Sequence, residues 1–253
     1  MIAPPTRPVM FVTGGSRGIG AGIVLGAVEA GWDVAFTYRV REAEAQGVVK
    51  RASCIAPDAR CMAFQLDVRQ SPEVERTADA VLEAFGGMHT IVANAAVTNA
   101  GLAFSTTDEE WREVIDTNLT GAFYVVRQFL PELLANRHGR LIFMSSIAAR
   151  GMAGDAAYCA SKAGMLGLST ALAKEYGRKG ITSNAIVLSF VETEMTQAEL
   201  SEDKRRFYED HCPVGRVGQV SDVAAAVLYL AGPSGSFING QEIGVTGGLD
   251  WFR

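Results

Sequence analysis

Short apolar runs alternate with longer stretches of helical period from end to end of this chain. Val9–Thr13, Asp33–Tyr38, Arg60–Leu66, His89–Ala93, Arg140–Met144, Ile181–Val187 and Glu242–Val245 read as strands. Between them the pattern predicts helices from the glycine-rich turn after Thr13 to about Ala30, and over Arg41–Ala56, Ser71–Phe85, Asp108–Leu134, Asp155–Arg178 and Ser221–Ala231. Gly31 closes the first of these as a C′ glycine. Pro57 ends the second and Gly86-Gly87 the third, and Ser221 is the expected N-cap of the last. Within 108–134, Trp111, Ile115, Leu119, Ala122, Val126, Leu130 and Leu133 recur at steps of three and four, which makes one apolar face. Val114, Val125 and Leu134 fall off that stripe and suggest a second buried face, against a partner subunit. Strands and helices that alternate without segregating predict an α/β fold: a doubly wound parallel sheet with helices on both faces. No linker, low-complexity tract or repeat interrupts the pattern, so residues 1–253 are expected to form one domain.

Composition narrows the function. Of 253 residues, 48% are hydrophobic and 20% charged, enough apolar material for a core and too much for a disordered chain. The balance of 23 basic against 28 acidic residues, with no Lys/Arg block, argues against nucleic acid as a partner. No apolar run approaches the roughly 20 residues of a membrane helix. Met1–Val9 carries prolines and no apolar signal core, so a soluble cytoplasmic protein is expected. Four cysteines without a CxxC pair and three scattered histidines give no metal site.

The segment Thr13-Gly-Gly-Ser-Arg-Gly-Ile-Gly20 lies between the first strand and the first helix, where a doubly wound sheet binds a dinucleotide. Glycines let the backbone approach a phosphate, and the helix N-terminus offers free N–H groups to it. The second strand ends Thr37-Tyr38-Arg39, without the acid that usually meets an NAD ribose there. Arg39 and Arg17 are instead two guanidinium groups suited to a 2′-phosphate, so NADP(H) is the expected cofactor.

Tyr158 and Lys162 are four residues apart, on one helix face, about 6 Å along the axis. A lysine cation there is expected to lower the tyrosine pKa from about 10 and make it a general acid or base. Ser145-Ser146, at the end of the preceding strand, places a hydroxyl at the carboxyl edge of the sheet.

This ordered set resembles the short-chain dehydrogenase/reductase family over the whole chain. The motifs that carry the resemblance are Thr13–Gly20, Asp67-Val68, Asn94-Ala95-Ala96, Asn118–Gly121, Ser145-Ser146, Tyr158–Lys162, Asn184, Thr193 and Pro213–Arg216. It implies a Rossmann-type fold in which Tyr158 gives a proton to a carbonyl oxygen and Lys162 assists it and holds the nicotinamide ribose. Ser146 would polarise the carbonyl, and Asn118 would anchor a proton-relay water. The strand pattern favours Ser146 as the acting serine, while the family's usual spacing to the tyrosine matches Ser145. The implied cofactor contacts are Gly14, Ser16, Arg17, Gly18, Ile19, Gly20, Arg39, Asp67, Val68, Asn94, Tyr158, Lys162, Val191 and Thr193. A homotetramer is implied too, with helices 108–134 and 155–178 in one interface.

Two positions depart from the family pattern. Ala96 stands where a glycine is usual, and Leu188-Ser189 replaces a Pro-Gly turn expected to need a different backbone path. Residues of about 190–214 match the substrate lid, and Phe190, Met152 and Met195 offer an apolar wall.

The likeness is greatest to the 3-oxoacyl-[acyl-carrier-protein] reductases. Arg137, Arg178 and Lys179 match positions where those enzymes dock the acidic acyl carrier protein near the active-site mouth. The expected activity is therefore NADPH-dependent reduction of a 3-oxoacyl thioester. The rivals are reduction of another ketone (a sugar, steroid or secondary metabolite) and a catalytically weak structural partner of an active homologue.

Overall fold

The computed structural model describes residues 7–193 and 202–249. Among the described residues nine strands form: β1 Val9–Val12, β2 Asp33–Tyr38, β3 Cys61–Gln65, β4 Thr90–Ala93, β5 Gly139–Ser146, β6 Ile181–Leu188, β7 Val191–Glu192, β8 Gly218–Gln219 and β9 Glu242–Val245. The helices are α1 Gly18–Glu29, α2 Glu42–Ile55, α3 Ser71–Phe85, α4 Asp108–Ile115, α5 Gly121–Asn136, α6 Ala156–Tyr176, α7 Glu202–His211 and α8 Val220–Ala231.

Seven strands make one parallel sheet in the order β3-β2-β1-β4-β5-β6-β9. β1, β2 and β4 are apolar almost throughout because both faces are covered. One core packs β-sheet residues such as Ile142, Met144 and Ile186 against α1, α2 and α8; the other packs Leu141, Phe143 and Ala185 against α3, α5 and α6. Strand order reverses between β1 and β4, so a crevice opens there at the carboxyl ends of the strands. α1 crosses α8 at close range because Gly22 has no Cβ; one built there would overlap the Val220 side chain.

The helix expected over 108–134 is two helices joined by a π-turn, Asp116–Thr120. The extra residue in that turn rotates everything after it by about 100°. The stripe holds over α5, where Ala122, Val126, Leu130 and Leu133 are buried, and breaks in α4, where Trp111 is 43% exposed; the off-stripe Val114 and Val125 face the core at 1% and 0%. Trp111 and Phe123 instead leave apolar surface on α4 and α5. Ser221 is not the N-cap of α8; Gln219 is, and its N–H donates to the Asp222 carboxylate at 2.8 Å. Asp222 also takes Arg216 through both oxygens at 2.7 and 2.9 Å, which holds the chain entering α8. The short β7–β8 ribbon was not legible in the hydrophobic pattern, since each strand has only two residues.

Candidate active site

The crevice has a volume of about 660 Å³ and runs from Arg39 at one end to Tyr158 and Phe190 at the other. Gly14, Ser16, Arg17, Gly18, Ile19, Gly20, Arg39, Asp67, Val68, Asn94, Ser146, Tyr158, Lys162, Val191 and Thr193 all line it. Of the expected site residues only Asn118 does not.

Local chemistry shapes the phosphate end. Gly14 and Gly18 take φ of 68° and 54°, open to glycine without strain. A Cβ on Gly20 would press into the Gly14 carbonyl and come within 2.7 Å of Asn94 Nδ2. That amide donates to the carbonyls of Thr13 at 2.9 Å and Gly14 at 3.2 Å, so β4 holds the loop's shape. The Thr13 hydroxyl accepts the N–H groups of Asn94 and Ala95, both at 2.9 Å. Gly14 N–H donates to the Thr37 hydroxyl and Gly15 N–H to the Thr37 carbonyl, which ties the loop to β2. The loop opens α1, whose first turn holds no acidic side chain, so nothing there opposes an anion. This cradle and the arginines beyond it fit a dinucleotide.

Arg41 was missed in the sequence. It lines the crevice beside Arg17 and Arg39 and pairs with Glu44 at 2.8 Å. Its place just past the end of β2 was the available signal. Asp67, an expected adenine contact, already has its carboxylate taken by Arg69 Nε at 2.9 and 3.1 Å, and that guanidinium holds it below the usual carboxylate range.

At the other end α6 brings Tyr158 and Lys162 to the last residues of β5. Ser146 and Tyr158 line the same end of the crevice, and the Ser146 oxygen accepts Ala148 N–H at 3.1 Å. Ser145 points away, its hydroxyl donating to the Lys162 carbonyl at 2.9 Å. Of the two serines, Ser146 alone faces the tyrosine. Lys162 is buried; its Nζ donates to the Met144 carbonyl at 2.7 Å and lies 5.4 Å from the Tyr158 ring centre. Burial lowers its pKa from 10.5 to about 8. The expected lowering of the Tyr158 pKa is reversed here: loss of solvent raises it, the nearby Ser146 hydroxyl pulls it down, and Asp155 and Cys159 push it up further.

Asn118, in the π-turn, is fully buried. Its carbonyl oxygen accepts Val97 N–H at 2.8 Å, and its amide donates to the Val97 carbonyl at 2.9 Å and to Ser161 Oγ at 3.0 Å. The side chain is thus used to clamp the loop after β4 to α6, one turn from Tyr158. Gly121 ends the turn and lets α5 touch Val68, where a Cβ would come within 2.7 Å. The replaced Pro-Gly turn needs no unusual backbone: among the described residues Arg137 alone is a non-glycine with positive φ. Ser189 fixes that turn by donating its hydroxyl to the Thr246 carbonyl at 3.1 Å. Ala96 also lines the crevice without strain.

Phe190 stacks on Tyr208 at 4.5 Å, and Glu192 pairs with Arg205, so α7 is fastened over the crevice's substrate end. Met195 lies outside the described residues, as does the lid segment 194–201. Arg137, Arg178 and Lys179 do gather together, because Gly180 packs on the Arg137 carbonyl and its own carbonyl accepts Gly139 N–H at 3.3 Å. They stand at the amino ends of β5 and β6, opposite Ser146 and Leu188. A strand of eight residues spans roughly 25 Å, so this patch is not at the mouth of its own chain's crevice. Among the described residues no group of His, Cys, Asp or Glu is placed to hold a metal ion, and no helix is long and apolar enough to cross a membrane.

A glycine-cradled dinucleotide crevice that ends in a serine, a tyrosine and a lysine defines an oxidoreductase acting on a carbonyl or alcohol. The family model described as Enoyl-(Acyl carrier protein) reductase matches residues 14–250, and the chain belongs to the short-chain dehydrogenase/reductase family. It is 37% identical over 240 residues to the 3-oxoacyl-[acyl-carrier-protein] reductase FabG of Staphylococcus aureus strain MW2, covering 94% of this chain and 96% of that one. The Escherichia coli K12 protein of the same name is 34% identical over 242 residues, covering 95% and 96%. Among solved structures, an actinorhodin polyketide ketoreductase variant with NADPH aligns with a TM-score of 0.92 at 32% identity, over 99% of this chain and 100% of that one. Levodione reductase aligns with a TM-score of 0.90 at 25% identity, over 96% and 97%.

Proposed function

We propose that this chain is a cytoplasmic, NADPH-dependent reductase of the 3-keto group of acyl thioesters, carried on an acyl carrier protein. The observation that carries the reading is the convergence of Ser146, Tyr158 and buried Lys162 on one end of the crevice. Two hydroxyl donors converging on one point suit an oxygen that gains negative charge. A reduced nicotinamide held in the crevice supplies the hydride. Tyr158, kept protonated by its surroundings, gives its proton to the oxygen, and Ser146 orients that oxygen. Lys162 holds positive charge beside the tyrosine and steadies the phenolate left behind. Arg17, Arg39 and Arg41 form the cationic end that suits a 2′-phosphate. The names of the relatives support the 3-oxoacyl thioester as substrate.

A homotetramer is part of the proposal, supported by the exposed Trp111 and Phe123 on α4 and α5. Docking at Arg137, Arg178 and Lys179 then serves a neighbouring subunit's crevice. The family description leaves enoyl reduction as a second reading.

The test is oxidation of NADPH with acetoacetyl thioester, beside crotonyl thioester and a panel of free ketones. Turnover of acetoacetyl thioester alone is expected. Turnover of the crotonyl compound alone overturns the proposal in favour of enoyl reduction, and turnover of free ketones alone in favour of another ketone.

The pH profile of the same assay is expected to fall as pH rises through about 8, where Lys162 loses its proton. The stability sign is opposite. Because burial depresses this lysine's pKa, its charge costs stability fully below about pH 8, and the cost is relieved as pH rises from about 8 towards 10.5. Activity lost above pH 8 without a matching fall in Tm from this group is the expected pair of results. A profile flat to pH 10 contradicts the role given to Lys162.

A further inference from the structure

The adenosine end of the crevice carries a line of four alternating charges. Asp67 is gripped by Arg69, whose Nη1 lies 3.9 Å from Glu113 Oε1. The same carboxylate oxygen lies 3.6 Å from Arg39 Nη1. Arg39 and Asp67 line the crevice, and Glu113 reaches Arg39 from α4. The acid absent from the end of β2 is thus replaced by one from a different element. It is aimed at the arginine, not at the crevice.

A phosphate monoester brings nearly two negative charges, and a guanidinium grips it best with two parallel N–H groups. Glu113 holds Arg39 at one of those nitrogens. Both side chains of this pair are nearly half exposed, at 44% and 47%, so the pair is weak and a phosphate can displace the carboxylate. Arg69 stands ready on the other side to keep Glu113 paired. The displaced carboxylate remains close to the phosphate and repels it.

We infer that Glu113 is a positioning residue for cofactor choice: it acts through Arg39 as a counter-ion that a 2′-phosphate must displace, and so restrains the preference for NADP(H) over NAD(H). This rests on Arg39 being the 2′-phosphate ligand.

The test compares the parent enzyme with Glu113→Gln, Arg39→Ala and the double variant. Adenosine 2′,5′-bisphosphate and AMP are titrated calorimetrically, and kcat and KM are measured with NADPH and NADH. Glu113→Gln is expected to bind the bisphosphate about three-fold more tightly, with AMP affinity unchanged. KM for NADPH falls by a similar factor, while kcat, KM for NADH and Tm stay level. The gain vanishes in the Arg39→Ala background and shrinks as salt rises. If Arg39→Ala loses bisphosphate affinity but Glu113→Gln leaves it level or weaker, the inference is overturned and Arg39 keeps its role. If Arg39→Ala leaves the bisphosphate-to-AMP ratio unchanged, the underlying assignment of Arg39 fails, and the inference with it.

Discussion

Tyr158→Phe is expected to lower kcat by about 10³-fold, the size of effect associated with loss of a positioned general acid. The substitution removes one oxygen and keeps the ring. Lys162 still packs over that ring and still donates to the Met144 carbonyl, so the wall of the crevice survives. What is lost is the proton source. Ser146 is the other hydroxyl facing that point, but a serine is too weak an acid to replace a phenol. The variant should bind NADPH as the parent does, by fluorescence titration, and melt within a degree or two of it. A variant that keeps a tenth or more of the parent kcat would remove Tyr158 from the chemistry. One that loses cofactor binding as well would show a structural role for the hydroxyl.

Gly20→Ala is expected to weaken NADPH binding by 100-fold or more, as an order of magnitude, and to lower Tm by roughly 3–10 °C. The new methyl would drive into the Gly14 carbonyl and the Asn94 amide. Neither can give way cheaply, because that amide also fixes the carbonyls of Thr13 and Gly14. Gly47→Ala is the control. Gly47 sits on the exposed side of α2 with nothing within 4 Å of a built Cβ. There the same added methyl should raise stability slightly, since alanine is the better helix former by up to about 1 kcal/mol. Equal effects at the two positions would mean that Gly20 acts through backbone entropy and not through the cradle.

Much of this site is local, and local chemistry is legible. The glycine loop declares itself because a strand, a glycine cluster and a helix follow one another within Val9–Glu29. Tyr158 and Lys162 meet because helical spacing puts them on one face. Ser146 depends on strand parity: alternate residues of β5 face opposite ways, and only the structure shows Ser145 turned to the Lys162 carbonyl. Other features were beyond the pattern for identifiable reasons. The π-turn at Asp116–Thr120 has the same residues that a plain helix would have, so periodicity ran straight through it. The docking patch was matched by position along the chain, whereas its distance from the crevice comes from the direction of β5 and β6. The Tyr158 pKa was argued from one neighbour, yet loss of solvent outweighs every neighbour it has. Arg41 stands just before α2 and Glu113 on α4, and the approach of Arg41 to Arg17 and of Glu113 to Arg39 is a tertiary fact.

The most direct test of the central claim follows the hydride itself. Purified protein would be given acetoacetyl thioester and NADPH carrying deuterium at both C4 positions of the nicotinamide, and the product read by mass spectrometry. A 3-hydroxybutyryl thioester one mass unit heavy, with the label on C3 and no such product from the Tyr158→Phe variant, is the predicted result. Unlabelled thioester recovered intact, while the deuterated cofactor is consumed by a free ketone, would contradict it.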